Sequence, residues 1–148
     1  MNDIDVKIQM ISEKASVPHR ATDGSAGYDV YACLEQPVQI GPGNTEKIPL
    51  GFKTSFPYGY VALIFARSGL SIKNGLAPAN KVGVIDADYR GEWIVALYNQ
   101  STEVKTIEPG DRIAQVVFVP YYAANFIEVE ELDNTERGEG GFNSTGTK

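Results

Sequence analysis

The sequence predicts an all-β sandwich or jelly roll. Three observations carry that expectation. Short apolar runs rich in β-branched and aromatic residues recur along the chain, glycine and proline turns separate them, and helical periodicity is hard to find anywhere. The 15 glycines and 8 prolines are scattered rather than pooled in a linker, so the 148 residues read as a single domain of ordinary length.

Taken in order, Val6-Lys7-Ile8-Gln9-Met10 alternates with a period of two, which predicts a half-buried strand. Gly24-Ser25-Ala26-Gly27-Tyr28-Asp29-Val30 places a carboxylate at the head of an apolar run. Read locally, Asp29 suits a turn cap as well as a ligand-facing carboxylate. Gly41-Pro42-Gly43-Asn44 and Phe56-Pro57-Tyr58-Gly59 are turn signals, and Tyr60-Val61-Ala62-Leu63-Ile64-Phe65 is a continuous apolar run. Continuity predicts a strand buried on both faces.

Directly after it comes Ala66-Arg67-Ser68-Gly69-Leu70, with one or two helical turns expected over Ser68 to Asn74. A strand ending in Arg-Ser-Gly makes either a solvated surface turn or an anion site, with N–H groups, a hydroxyl and a guanidinium pointing one way. Asn80-Lys81-Val82-Gly83-Val84-Ile85-Asp86-Ala87-Asp88-Tyr89-Arg90-Gly91 then sets Asp86 behind three strand-like residues, an environment expected to be partly desolvated. A carboxylate there can act as general base toward water, and it can equally sit in a plain turn between strands. Trp93 to Tyr98 and Ile113 to Phe118 predict two more strands buried on both faces, with the Glu108-Pro109-Gly110-Asp111 turn between them. From Glu136 onward the chain has too much glycine for a stable strand or helix. Such a stretch reads as a frayed terminus or as an arm that orders on a ligand, with Arg137 for phosphates and Phe142 for a base.

Composition narrows the chemistry. Thirteen basic against 19 acidic residues give a net charge of −6, which disfavours broad binding to nucleic acid but not a local grip on a phosphate. One Cys and one His allow neither an internal disulfide nor a Cys/His zinc site, and a His-based triad would have to use His19. The acidic first residues lack the features of a secretory signal, and no run of about 18 apolar residues is present to span a bilayer. A soluble cytoplasmic protein is the expectation, with nucleus or organelle left open, and a carboxylate is its expected charged tool.

Together these segments resemble the five ordered motifs of the trimeric dUTP pyrophosphatases, the dUTPases. Ser25-Ala26-Gly27-Tyr28-Asp29 corresponds to the first, Arg67-Ser68-Gly69-Leu70 to the second and Gly83 to Gly91 to the third. Gly110-Asp111-Arg112-Ile113-Ala114-Gln115 corresponds to the fourth, and Arg137-Gly138-Glu139-Gly140-Gly141-Phe142-Asn143-Ser144-Thr145-Gly146 to the fifth. The resemblance implies a dUTPase-like jelly roll (β-clip) over 1–134 and a flexible Gly-rich C-terminal arm over 135–148 that closes over the active site. It implies a homotrimer whose active sites are shared between subunits. It also implies Mg²⁺-assisted hydrolysis of dUTP to dUMP and pyrophosphate, which limits uracil in DNA and supplies dUMP for dTTP synthesis.

Carried over by resemblance, Asp86 activates the water that attacks the α-phosphorus. Asn80 and the backbone at Gly83, Val84 and Ile85 read uracil, and Tyr89 packs under deoxyribose and excludes a 2′-hydroxyl. Arg67, Ser68 and Gly69 hold phosphates, and Gln115 helps to place phosphate or water. Phe142 stacks on uracil while Arg137, Ser144 and Thr145 close over the phosphates. Asp29 supports Mg²⁺ through water, and His19 is left a structural or solvent-facing part. Two residues depart from the family pattern: Ala66 replaces a common proline, and Asn143 a glycine. A dCTP deaminase, which shares the jelly roll, and a non-catalytic nucleotide-binding module are the rival expectations.

Overall fold

The computed structural model describes residues 3–142 and 146. Among them the chain forms eleven strands and one helical turn. The strands are β1 (Lys7–Met10), β2 (Tyr28–Tyr31), β3 (Val38–Ile40), β4 (Thr45–Pro49), β5 (Phe52–Ser55) and β6 (Tyr60–Phe65). They continue as β7 (Leu76–Pro78), β8 (Gly83–Ile85), β9 (Ile94–Asn99), β10 (Lys105–Ile107) and β11 (Arg112–Pro120). Every strand pair is antiparallel. A four-stranded sheet runs β2-β11-β6-β8, a three-stranded one β4-β9-β7, and two ribbons pair β1 with β5 and β10 with β3. This is the all-β jelly-roll architecture the sequence predicts.

The turn chemistry explains the boundaries. Asn44 N–H closes on the Gly41 carbonyl at 3.1 Å, Asp111 N–H on Glu108 at 3.1 Å, and the Phe56–Gly59 turn falls between β5 and β6. The core gathers Phe52, Trp93, Ile40, Ile48, Leu50 and Leu97, with Phe52 and Trp93 rings 5.2 Å apart. Burying each such side chain contributes about 1.5–3 kcal/mol, and the indole Nε1 donates to Thr54 Oγ1 at 3.0 Å, so burial leaves no orphan donor.

Burial differs from the pattern expected of three runs. β6 and β9 alternate, with Ala62, Ile64, Val95, Leu97 and Asn99 buried and the intervening residues partly or largely exposed. β11 likewise keeps Val117, Phe118 and Val119 only half-buried. The reason is geometric: a sandwich strand has one core face, so a continuous apolar run leaves its second apolar face on the outside of the chain. β1 is mostly exposed rather than half-buried, because it pairs with β5 alone at the margin of the fold. Asn99, fully buried, ties loops instead of packing: Nδ2 donates to the Ile40 and Glu103 carbonyls at 2.7 and 2.8 Å, and Oδ1 accepts from Ser101.

Candidate active site

Strand β11 organises the first cluster. Gln115 pairs with Asp29 on β2 and with Phe65 on β6, so three strands bring the first, second and fourth sequence motifs side by side. Asp29 is held from its other edge as well, by paired backbone hydrogen bonds with His19 at 2.8 and 3.1 Å. His19, itself exposed, thus braces Asp29 through its main chain alone. The Asp29 carboxylate accepts from Arg67 Nε at 2.8 Å and faces Arg112 Nη1 at 3.5 Å. Asp29 and Arg67 are each largely covered, with side chains 17% and 26% exposed, so this ion pair is well shielded from water.

Arg67 also donates Nη1 to the Arg112 carbonyl at 3.3 Å. Gln115 donates Nε2 to the carbonyl of Ala66 at 2.9 Å, which fixes the residue from which Arg67 departs. Gly27 makes that possible. A Cβ there would fall on Gln115 Oε1 and lie 3.2 Å from its Cδ. Ser68 then leads into a five-residue helical turn, Gly69–Lys73, as anticipated, without a side-chain capping bond, and Ser71 N–H closes on the Arg67 carbonyl at 2.9 Å. Exposed Ser68 and Gly69 sit beside two guanidiniums, an arrangement suited to a polyanion.

The second cluster lies on β8, the outer strand of the same sheet, paired among the described residues only with β6. Its outer backbone groups are open, as reading a planar donor–acceptor edge by main chain requires. Asn80 lies beside Gly83, in a turn shaped by the left-handed Lys81 (φ 68°). Asp86 stands just past the far end of β8. It is exposed rather than partly desolvated, because a three-residue edge strand is too short to cover a side chain at its end. Among the described residues its carboxylate has no hydrogen-bond or ion-pair partner. Tyr89 N–H returns to the Asp86 carbonyl at 3.1 Å, and Arg90 Nη1 donates to the Ala87 and Thr54 carbonyls at 2.8 and 3.2 Å, pinning the turn to β5.

Register keeps the two clusters apart. Gly83 is opposite Ile64 and Ile85 opposite Ala62, so Asp86 falls level with Val61. Arg67 lies six residues farther along the chain, roughly 20 Å at about 3.4 Å per residue. In the tail, Arg137 Nε donates to Gly140 O at 2.7 Å, and Phe142 is fully exposed with φ 48°. Asn143, Ser144 and Thr145 lie outside the described residues. Both oxygens of Asp29, expected to support Mg²⁺ through water, face guanidiniums. No group of three or more His, Cys, Asp or Glu side chains that could hold a metal occurs among the described residues. Arg112 has no role assigned from sequence, although it stands inside the fourth motif. Only the pairing of β11 with β2 reveals that it reaches Asp29.

Fold and site define a class: an antiparallel β protein with an arginine cluster at a strand end and an exposed carboxylate at the end of an edge strand. More narrowly, the chain belongs to the dUTPase family, whose sequence model matches residues 13–146. It is 51% identical over 149 residues to the deoxyuridine 5'-triphosphate nucleotidohydrolase of Desulfitobacterium hafniense (strain DSM 10664 / DCB-2), covering 99% of both chains. Among solved structures it resembles a mutant of the Staphylococcus bacteriophage 80alpha dUTPase with dUpNHpp, with a TM-score of 0.88 and 29% identity over 97% of this chain and 99% of that one. A mutant dUTPase from phage phi11 of S. aureus, described as revealing the coordination of a structural Mg(II) ion, matches at a TM-score of 0.77 and 28% identity. That match covers 88% of this chain and 99% of the phage protein.

Proposed function

We propose that this chain hydrolyses dUTP to dUMP and pyrophosphate. The observation that carries the reading is the full-length match to the dUTPase family with an unpartnered carboxylate, Asp86, at the end of an open edge strand. Asp86 takes a proton from water, and the water oxygen attacks the α-phosphorus. The bond from that phosphorus to its bridging oxygen breaks, and pyrophosphate leaves. This chemistry needs positioning and charge neutralisation more than covalent help from the protein. Arg67, Ser68 and Gly69 hold phosphates, while Gln115 and Asp29 hold Arg67. Asn80 and the backbone of Gly83, Val84 and Ile85 read uracil, and Tyr89 lies under deoxyribose. The arm over 135–148 closes the site, with Phe142 on the base and Arg137, Ser144 and Thr145 over the phosphates.

Magnesium enters with the substrate. The donor set does not fit a resident metal, since Asp29 already faces two guanidiniums, and Mg²⁺ binds readily to phosphate oxygens and water. The enzyme is a cytoplasmic homotrimer with shared active sites. The separation of Asp86 from Arg67 supports sharing, because roughly 20 Å of strand lies between their positions in one chain. Exposed Tyr122, Phe126, Ile127 and Leu132 beyond β11, and an apolar groove of about 810 Å³ lined by Val6, Ile8, Phe52, Trp93 and Phe118, give a second copy surface to cover. No helix among the described residues is long and apolar enough to cross a membrane.

The test is pyrophosphate release from dUTP, UTP, dTTP and dCTP with Mg²⁺, for the wild type and Asp86→Asn. Strong preference for dUTP and a loss of at least a hundredfold in the variant are expected. Binding of dUTP without release of pyrophosphate by the wild type would overturn the reading.

A further inference from the structure

Tyr89 does not stand free. The phenol end of its ring lies against the next residue but one, Gly91. A Cβ on Gly91 would fall on Tyr89 Oη and Cζ and lie 2.8 Å from Cε1. The hydroxyl donates to the Glu92 carbonyl at 3.1 Å, and the Glu92 carboxylate accepts from Gly51 N–H at 3.1 Å, tying that anchor to the link between β4 and β5. Gly91 is not among the glycines with positive φ, so its backbone suits any residue, and what it lacks is only the volume of a methyl group. The opposite side of the ring is open, with Tyr89 43% exposed.

We infer that the Gly91-Glu92 step positions Tyr89 for sugar discrimination: the missing side chain of Gly91 admits the ring, and the Glu92 carbonyl fixes its tilt. The inference rests on the dUTPase reading, in which Tyr89 rejects the 2′-hydroxyl. Gly91 touches no substrate and acts through Tyr89. A methyl group at Gly91 drives the ring about 1 Å toward its open side to restore normal contact, and so into the place of deoxyribose. Misplacement on that scale costs up to about a hundredfold in activity, and dUTP loses a fit that UTP never had.

The experiment measures kcat and KM for dUTP and UTP on the full chain, for the wild type, Gly91→Ala, Tyr89→Phe, Tyr89→Ala and the Gly91→Ala/Tyr89→Ala double variant. Gly91→Ala is expected to raise KM for dUTP about tenfold and to lower the dUTP-over-UTP ratio of kcat/KM by a similar factor. In the Tyr89→Ala background the same change is expected to be silent within about twofold. Equal losses in both backgrounds, or an unchanged ratio in Gly91→Ala when Tyr89→Ala collapses it, overturn the inference. Should Gly91→Ala fail to fold by circular dichroism, Tyr89→Phe decides: it keeps the ring and removes the anchor, and a ratio unchanged by it overturns the seat. If Tyr89→Ala itself leaves the ratio intact, the sugar check fails and the inference falls with it, a result distinct from a silent Gly91.

Discussion

Replacing Asp29 with asparagine removes one negative charge and almost no volume, which makes it a clean probe of the arginine cluster. Its main partner is Arg67 Nε at 2.8 Å, with both side chains mostly covered. A charge-assisted hydrogen bond of this kind contributes about 1.5–3 kcal/mol, roughly twice a neutral one. The Asn oxygen still accepts from Arg67, so about half of that is lost. Arg112, 3.5 Å away and 56% exposed, adds little. The sum is about 1 kcal/mol, or roughly fivefold in kcat/KM for dUTP, and Asp29→Ala, which keeps no acceptor, falls roughly 10- to 150-fold. Pyrophosphate release measured across a magnesium titration separates two roles. If Asp29 holds Arg67, the loss persists at every Mg²⁺ concentration, and Asp29→Asn adds nothing to Arg67→Lys. Full recovery at high Mg²⁺, with the midpoint shifted upward, would refute the reasoning and return Asp29 to the metal.

Other perturbations reach other layers. Gly27→Ala should displace the Gln115 carboxamide from the Ala66 carbonyl, costing about 1 kcal/mol, seen as roughly fivefold in kcat/KM and a drop in Tm of roughly 2–4 °C. Asn99→Ala leaves the buried Ile40 carbonyl without its donor and should cost about 3 kcal/mol, seen in thermal unfolding as a drop in Tm of roughly 6–12 °C. Removing the residues after Asn134 should leave folding and assembly intact by circular dichroism and light scattering but abolish most pyrophosphate release. Retention of full turnover would reject the arm's role.

The strands were legible because their signals are local. Tyr60–Phe65 bounds β6 as the apolar run does, and the Ser68–Asn74 stretch forms its helical turn, since a turn-run-turn grammar needs no knowledge of distant partners. Burial was not legible in the same way. An apolar run does not say whether its second face meets another layer of its own chain, and in β6 and β9 it does not. Site contents divide along the same line. Motif order named Asp29, Arg67, Gln115 and Asp86, but the ion pairs of Asp29 depend on β2, β6 and β11 meeting, a non-local event. Asn99 carried no warning at all, because the bond that buries it goes to Ile40 at the end of β3, 59 residues away, while its other three close the turn over Ser101 and Glu103.

The spacing along β6 has an arithmetic consequence for mixtures. If every working centre draws its carboxylate from one chain and its guanidinium from another, two dead variants can repair each other. Asp86→Asn chains and Arg67→Ala chains, unfolded together and refolded in equal amounts, should return about a quarter of wild-type activity, since each centre draws its two parts independently. Either parent refolded alone should return none. Activity in such an ensemble belongs to no individual polypeptide, and a titration of one dead variant into the other should trace a parabola with its crest at equal proportions.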